Sequence, residues 1–189
     1  MTGVRWTPSV ESLVIAHDHA VGGDYPDHFD GGRSTRAKQR RDNFAGKLGE
    51  AVVSEWLDSM CVPHDWDAFE DAPWAADISL YGLTIDVKAR YPWTAPNGLP
   101  DLPITSSRCA PDLYVLVETS PGADGWTTTI VGWISYDEAR RVWRDVDYYH
   151  TANKEVRRSA LHTPSSLLDG LVSLSNTAQD GQTAPRAEA

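Results

Sequence analysis

The residue types with the greatest chemical capacity fall in one short stretch, AADISLYGLTIDVKAR, residues 75–90. Two runs of period-two alternation flank Tyr81-Gly82, a pattern that predicts a β-hairpin. Alternation sends Asp86 and Lys88 to one face of the second strand and Ile85 and Val87 to the other. A turn centred on Tyr81-Gly82 pairs residue 80 with 83, 79 with 84, 78 with 85 and 77 with 86, so Asp77 faces Asp86 across the hairpin. Like charges directly opposite destabilise a sheet. At ~5 Å and an effective dielectric of ~20 their repulsion is roughly 3 kcal/mol. Lys88 balances half of it. A divalent cation balances it fully, and Mg²⁺ takes one or two carboxylates and completes its shell with water and phosphate oxygens. A shifted register would instead turn one Asp to solvent.

A third carboxylate precedes the hairpin. In GKLGEAVV, residues 46–53, two glycines three apart lower helix propensity by about 1 kcal/mol each and leave a strip without side chains. Glu50 follows that strip at the margin of the apolar run Ala51-Val52. A Glu there is often a solvated helix residue, but beside a close-packed strip and an Asp pair it reads as a site residue.

This set resembles the PD-(D/E)XK nuclease superfamily. Ala76-Asp77-Ile78 stands where that family has its first metal-binding Asp, with Ala in place of the frequent Pro, and Asp86-Val87-Lys88 matches its (D/E)-x-K element. Glu50 matches the helix acid that many members carry before the hairpin. The similarity extends over roughly residues 34–135 and takes in the apolar runs DLYVLV and IVGW. It implies a restriction-endonuclease-like fold and hydrolysis of phosphodiester bonds with Mg²⁺, for which Mn²⁺ would substitute. Asp77, Asp86 and the Val87 carbonyl would hold the metal. Glu50 would join them directly or through water, and Lys88 would position and help deprotonate the attacking water.

Charge adds a partner expectation. The chain of 189 residues has 17 Lys and Arg against 27 Asp and Glu, a net charge of −10, which by itself argues against nucleic acid. The cations are clustered, however: Arg33, Arg36, Lys38, Arg40, Arg41 and Lys47 are interrupted only by Asp42, and smaller knots lie at Arg140, Arg141 and Arg144 and at Lys154, Arg157 and Arg158. Arg36, Lys38, Arg40, Arg41 and Lys47, on the approach to Glu50, are expected to hold the phosphate backbone of nucleic acid, DNA rather than RNA. Each knot could equally be a salt-bridged surface.

The elements that must position these residues follow from periodicity. Thr7-Pro8-Ser9 opens a short helix that Gly22-Gly23 ends, and DYPDHFDGG is a loop. Ser34 or Thr35 can cap a second helix running to about Met60, with Phe44, Leu48, Ala51, Val52, Trp56 and Met60 as its buried stripe. After an irregular linker and the hairpin, YPWTAPNGLPDLPITSSRCAP carries five prolines and reads as a long functional loop. DLYVLVET and TTTIVGWIS are strands, YDEARRVWRDV a helix and SSLLDGLVSL a short helix. The expected domains are an N-terminal helix and loop (1–33), an α/β core (34–175) with a central mixed β-sheet flanked by helices, and a disordered tail (176–189).

Other readings carry less. With 41% apolar residues the chain can build one sizeable core, and no apolar run approaches a membrane span. The N-terminus lacks a secretory layout, and Cys61 and Cys109 form no CxxC pair, so a cytoplasmic location is expected. His17, His19, Asp24, Asp27, His28 and Asp30 match no zinc spacing. Of the eight Trp residues, Trp56 and Trp143 fall on helical stripes, and Trp93 in the Pro-rich loop is the one placed to touch substrate. No P-loop, GxSxG, HExxH or dinucleotide glycine motif occurs. A homodimer is compatible with these features. The competing expectation is a catalytically inert nucleic-acid-binding or protein-interaction domain on the same fold.

Overall fold

The computed structural model describes residues 3–22, 36–67, 76–94, 101–104, 110–123, 125–148 and 151–182. The fold is α/β, built on a mixed five-stranded sheet. Its strands are β1 (Val4–Trp6), β2 (Ile78–Leu80), β3 (Leu83–Arg90), β5 (Leu113–Gly122) and β6 (Gly125–Ser135), in the spatial order β1-β6-β5-β3-β2. β3 and β5 run parallel and every other neighbour is antiparallel. Three further strands, β4 (Leu102–Ile104), β7 (Arg144–Tyr148) and β8 (Thr151–Val156), form a small antiparallel sheet in the order β4-β8-β7.

Two clusters bury the faces of the main sheet. On one, Ile85, Val87, Val115 and Val117 pack against the helices α1 (Val10–Gly22), α2 (Arg36–Ser59) and α4 (Leu167–Gln182) through Ala16, Leu48, Val52 and Leu171. On the other, Tyr114, Leu116 and Val131 meet Leu102, Ile104 and Val156 of the small sheet and Ala139 of α3 (Tyr136–Val142). β5 is thus buried on both faces, as its unbroken apolar run requires. Ser135 starts α3 with a capping box, exchanging bonds with Glu138. Ser9 caps α1, its Oγ accepting from the Ser12 N–H at 3.1 Å. Glu55 of α2 accepts from Trp6 Nε1 at 2.7 Å and Ser12 Oγ at 2.6 Å, tying β1 and α1 to the central helix.

Several boundaries differ from the sequence reading. The helix expected over 136–146 ends at Val142, its last three residues belong to β7, and part of the Pro-rich loop is β4. The expected tail is helical as far as Gln182, because α4 continues past residue 175. The buried face of α2 is wider than one stripe: Ala45, Val53 and Leu57 are buried as well, since α1 covers one side of the helix and the sheet the other. The loop residues Asp24, Asp27, His28 and Asp30, the caps Ser34 and Thr35, Arg33 and Cys109 lie outside the described residues.

Candidate active site at the open edge of β3

The hairpin forms with the expected register, Ile78 opposite Ile85, Ser79 opposite Thr84 and Leu80 opposite Leu83. Tyr81 (φ 50°) and Gly82 (φ 78°) make its turn. Positive φ at both central residues matches the right-handed twist of the strands, and glycine carries the second position without steric cost.

The regular ladder stops at Ile78. Asp77 donates its N–H to the Ile85 carbonyl at 3.0 Å, and its side-chain Oδ2 accepts from the Val87 N–H at 2.6 Å. Its carboxylate therefore occupies the position where a partner strand's carbonyl would sit. A strand residue's N–H and C=O leave on the same edge, so the Val87 carbonyl points to that edge too. Asp86 is 6% exposed and its Oδ1 accepts from Lys88 Nζ at 2.7 Å. Alternation puts this ion pair on the face of Tyr114 and Leu116, opposite the one that receives α2.

Glu50 reaches the group from α2. Gly49 lies against β3 so closely that a Cβ there would stand 2.7 Å from Ala89 Cβ and 3.6 Å from Val87 Cγ1. This contact fixes the helix over the strand and brings the next residue, Glu50, beside the hairpin. Glu50 Oε2 accepts from Lys47 Nζ at 2.7 Å and Trp66 Nε1 at 3.4 Å. Asp77 sits between the two other acids and bears the cost. Burial pushes its carboxyl up to about 8, with the negative charges of Glu50 and then Asp86 adding to the rise, against the opposing pull of the Val87 N–H and Lys88.

The site thus brings together Glu50, Asp77, Asp86, Val87 and Lys88. Its donors are all oxygen, which suits Mg²⁺ or Mn²⁺ rather than zinc, and two of them, the Asp77 carboxylate and the Val87 carbonyl, share an edge of β3 that no strand among the described residues pairs beyond Ile85. Among the described residues no three His, Cys, Asp or Glu side chains are already arranged to hold a metal ion. Glu50 and Asp86 are each turned to a lysine and approach β3 from opposite faces.

The basic residues divide. Arg40 and Arg41 are exposed on the first turns of α2, and Lys38 is half-buried with its Nζ 4.0 Å from Asp42. Arg36 opens the helix. Lys47 departs from the expectation of a phosphate contact on an open surface, being 4% exposed with its ammonium on Glu50. The Lys47/Glu50 spacing of three, one helical turn, was the signal for that pair. Nothing in the sequence marked Trp66 as a partner of Glu50. The remaining knots are salt-bridged in part: Arg144 pairs with Asp101 and Glu155, Lys154 with Asp145, and Arg158 with Glu118, while Arg140, Arg141 and Arg157 are exposed.

Past Lys88 the strand runs into aromatic residues. The Tyr91 hydroxyl donates to the Arg41 carbonyl at 2.7 Å. Burial and then Asp42 push it up to about 12, so it stays a donor at ordinary pH. Trp93 stacks on its ring.

No family model, curated protein or solved structure matches the chain.

Proposed function

We propose that this chain is a metal-dependent nuclease of the PD-(D/E)XK type, with a restriction-endonuclease-like core, hydrolysing phosphodiester bonds of nucleic acid, DNA rather than RNA. One observation carries the reading: the buried Asp77 carboxylate, near Glu50 and Asp86, caps the Val87 N–H at an edge of β3 that β2 leaves open. An anion crowded by two others destabilises the metal-free fold, and a cation binding site gives that crowding a purpose. Asp77, Asp86 and the Val87 carbonyl would hold Mg²⁺, with Glu50 from the helix. Bound there, the ion supplies a water of lowered pKa and neutralises charge on the phosphate.

The chain's own groups do the rest. Lys88, hydrogen-bonded to Asp86 and about one-quarter exposed, is anchored at that carboxylate while its ammonium can still reach solvent. From there it orients the attacking water and offsets charge building on the phosphate oxygens. Lys47 holds Glu50 in place. The exposed Arg40 and Arg41 steer the phosphate backbone toward the edge.

The two lysines already seated on Glu50 and Asp86 are what favours the second reading, an inert nucleic-acid-binding or protein-interaction domain in which the acids are structural. Incubation with plasmid, linear duplex and single-stranded DNA plus Mn²⁺, beside Lys88→Ala, separates the two. The nuclease reading expects cleavage by the wild type and a loss of at least about 100-fold in the variant, with folding intact. Equal and metal-independent behaviour of both proteins would overturn it.

A further inference from the structure

The aromatic residues beyond Lys88 form a supported stack with one open end. Trp93 and Tyr91 lie with ring centroids 4.6 Å apart and planes 18° from parallel. Tyr91 is buried, anchored by its hydroxyl on α2 and backed by Trp126 at 6.2 Å, which in turn meets Phe44 at 4.7 Å. The Arg41 guanidinium lies 5.6 Å from the Tyr91 ring centre, with Asp42 4.0 Å from its Nε. Trp93, at the outer end, is 53% exposed. One face of an indole is therefore fixed against a rigid base beside a cation, while half of the residue remains in water. Covering Tyr91 alone would not need so large a ring.

Resting on the nuclease reading, we infer that Trp93, stacked on the Tyr91 ring that Arg41 approaches, is a platform for an unpaired base of the substrate strand. The chemistry selects the occupant. Every base has a π-face that stacks on an aromatic ring irrespective of its identity, and a neighbouring Arg adds attraction and holds the adjoining phosphate. A base inside a duplex already has neighbours on both faces, so the platform is open to single strands and frayed ends. Because the ring is held in place beforehand, little ordering entropy is lost on binding. Arg41 stands nine residues before Glu50 on α2, about 13 Å of helix. That is about four base steps at the duplex rise of 3.4 Å, fewer for a stretched strand. A strand stacked on Trp93 would then place a nearby phosphodiester, not the stacked nucleotide's own, at the acidic edge.

The test measures metal-free binding of fluorescein-labelled single-stranded and blunt duplex oligonucleotides by anisotropy for the wild type, Trp93→Ala and Trp93→Phe. Metal-dependent cleavage is measured separately. Trp93→Ala should weaken single-strand binding roughly five- to a hundred-fold, leave duplex binding within about two-fold, and keep the wild-type melting temperature because the ring is half exposed. Trp93→Phe should recover most of the loss. Equal weakening for both oligonucleotides, no weakening, or no single-strand binding by the wild type would overturn the platform. So would a change in the sedimentation of Trp93→Ala, which would make the ring a protein interface. Cleavage that persists while Trp93 proves indifferent would overturn the platform alone, and Trp93-dependent binding without cleavage would overturn the nuclease reading alone.

Discussion

At Asp77 two effects oppose each other. The Val87 N–H holds its carboxylate in the ionised form, while burial and the charges of Glu50 and Asp86 favour the protonated form and prevail, raising the carboxyl from 3.8 to about 8. A carboxyl with a raised folded-state pKa binds its proton more tightly folded than unfolded. Its contribution to stability is complete below about pH 4 and is lost as pH rises toward 8. Metal-free wild type should therefore lose stability between about pH 5 and pH 8 through this group. Asp77→Asn keeps an oxygen to accept from the Val87 N–H but carries no charge. Its urea unfolding should be flatter over that range, with a stability at pH 8 about 1–3 kcal/mol above the wild type. Its Mn²⁺-induced melting shift should shrink, because a ligand has gone. An Asn variant less stable than wild type at that pH would make Asp77 a structural ion partner of Lys88. The register from 78/85 to 80/83 is legible in the sequence because strand alternation and a two-residue turn fix it, but the expected pairing of Asp77 with Asp86 does not form, as Asp77 bonds to Ile85 and Val87 instead. The end of the ladder is not legible, because it depends on a side-chain carboxylate outcompeting backbone at Val87.

Glycines 46 and 49 look equivalent in the sequence of α2, two weak helix formers three residues apart that together predict one close-packing strip. Packing separates them. A Cβ at residue 46 meets nothing within 4 Å, whereas at residue 49 it would stand 2.7 Å from Ala89 Cβ, an atom rigidly attached to the strand. Gly46→Ala should stabilise the protein by up to about 1 kcal/mol. Gly49→Ala should be destabilised by about 1–3 kcal/mol net despite the same propensity gain, as overpacking does, and Ala89→Gly in the same chain should restore part of it. Chemical denaturation of the four proteins checks this. A stabilised Gly49→Ala would mean that α2 does not bear on β3 there, and Glu50 would lose its positioning. Elements with strong periodicity, α2, β3, β5 and β6, can be read from the sequence. β1 and β4 have three residues each and β7 and β8 are polar, so their pairing partners rather than their own patterns make them strands.

Across the whole molecule the sum of charges and their placement lead to opposite expectations. A net charge of −10 repels nucleic acid, and the sequence holds three basic clusters that could counter it. Which cluster faces solvent cannot be read from the sequence, because the neutralising partners come from distant parts of the chain: Glu155 joins both Arg90 and Arg144, and Glu118 meets Arg158. Arg144 and Lys154 pair within and beside the small sheet and Arg158 pairs with Glu118 of β5, while Arg140, Arg141 and Arg157 are exposed. Of the exposed cations, Arg40 and Arg41 are the ones on α2, the helix that carries Glu50. If these two hold phosphates, each releases condensed counterions on binding. Replacing both with Ala should then flatten the plot of log K against log salt by about 1.4 for single strands, about 0.7 for each phosphate no longer neutralised. The weakening should be the same for oligonucleotides of different sequence, because phosphate contacts carry no base information. Anisotropy titrations between about 50 and 200 mM salt, where such contacts change affinity most visibly, measure both quantities. An unchanged slope with altered sequence preference would mean that Arg40 and Arg41 read bases. An unchanged slope and affinity would move the phosphate-binding surface elsewhere and leave the approach to Glu50 without its steering charge.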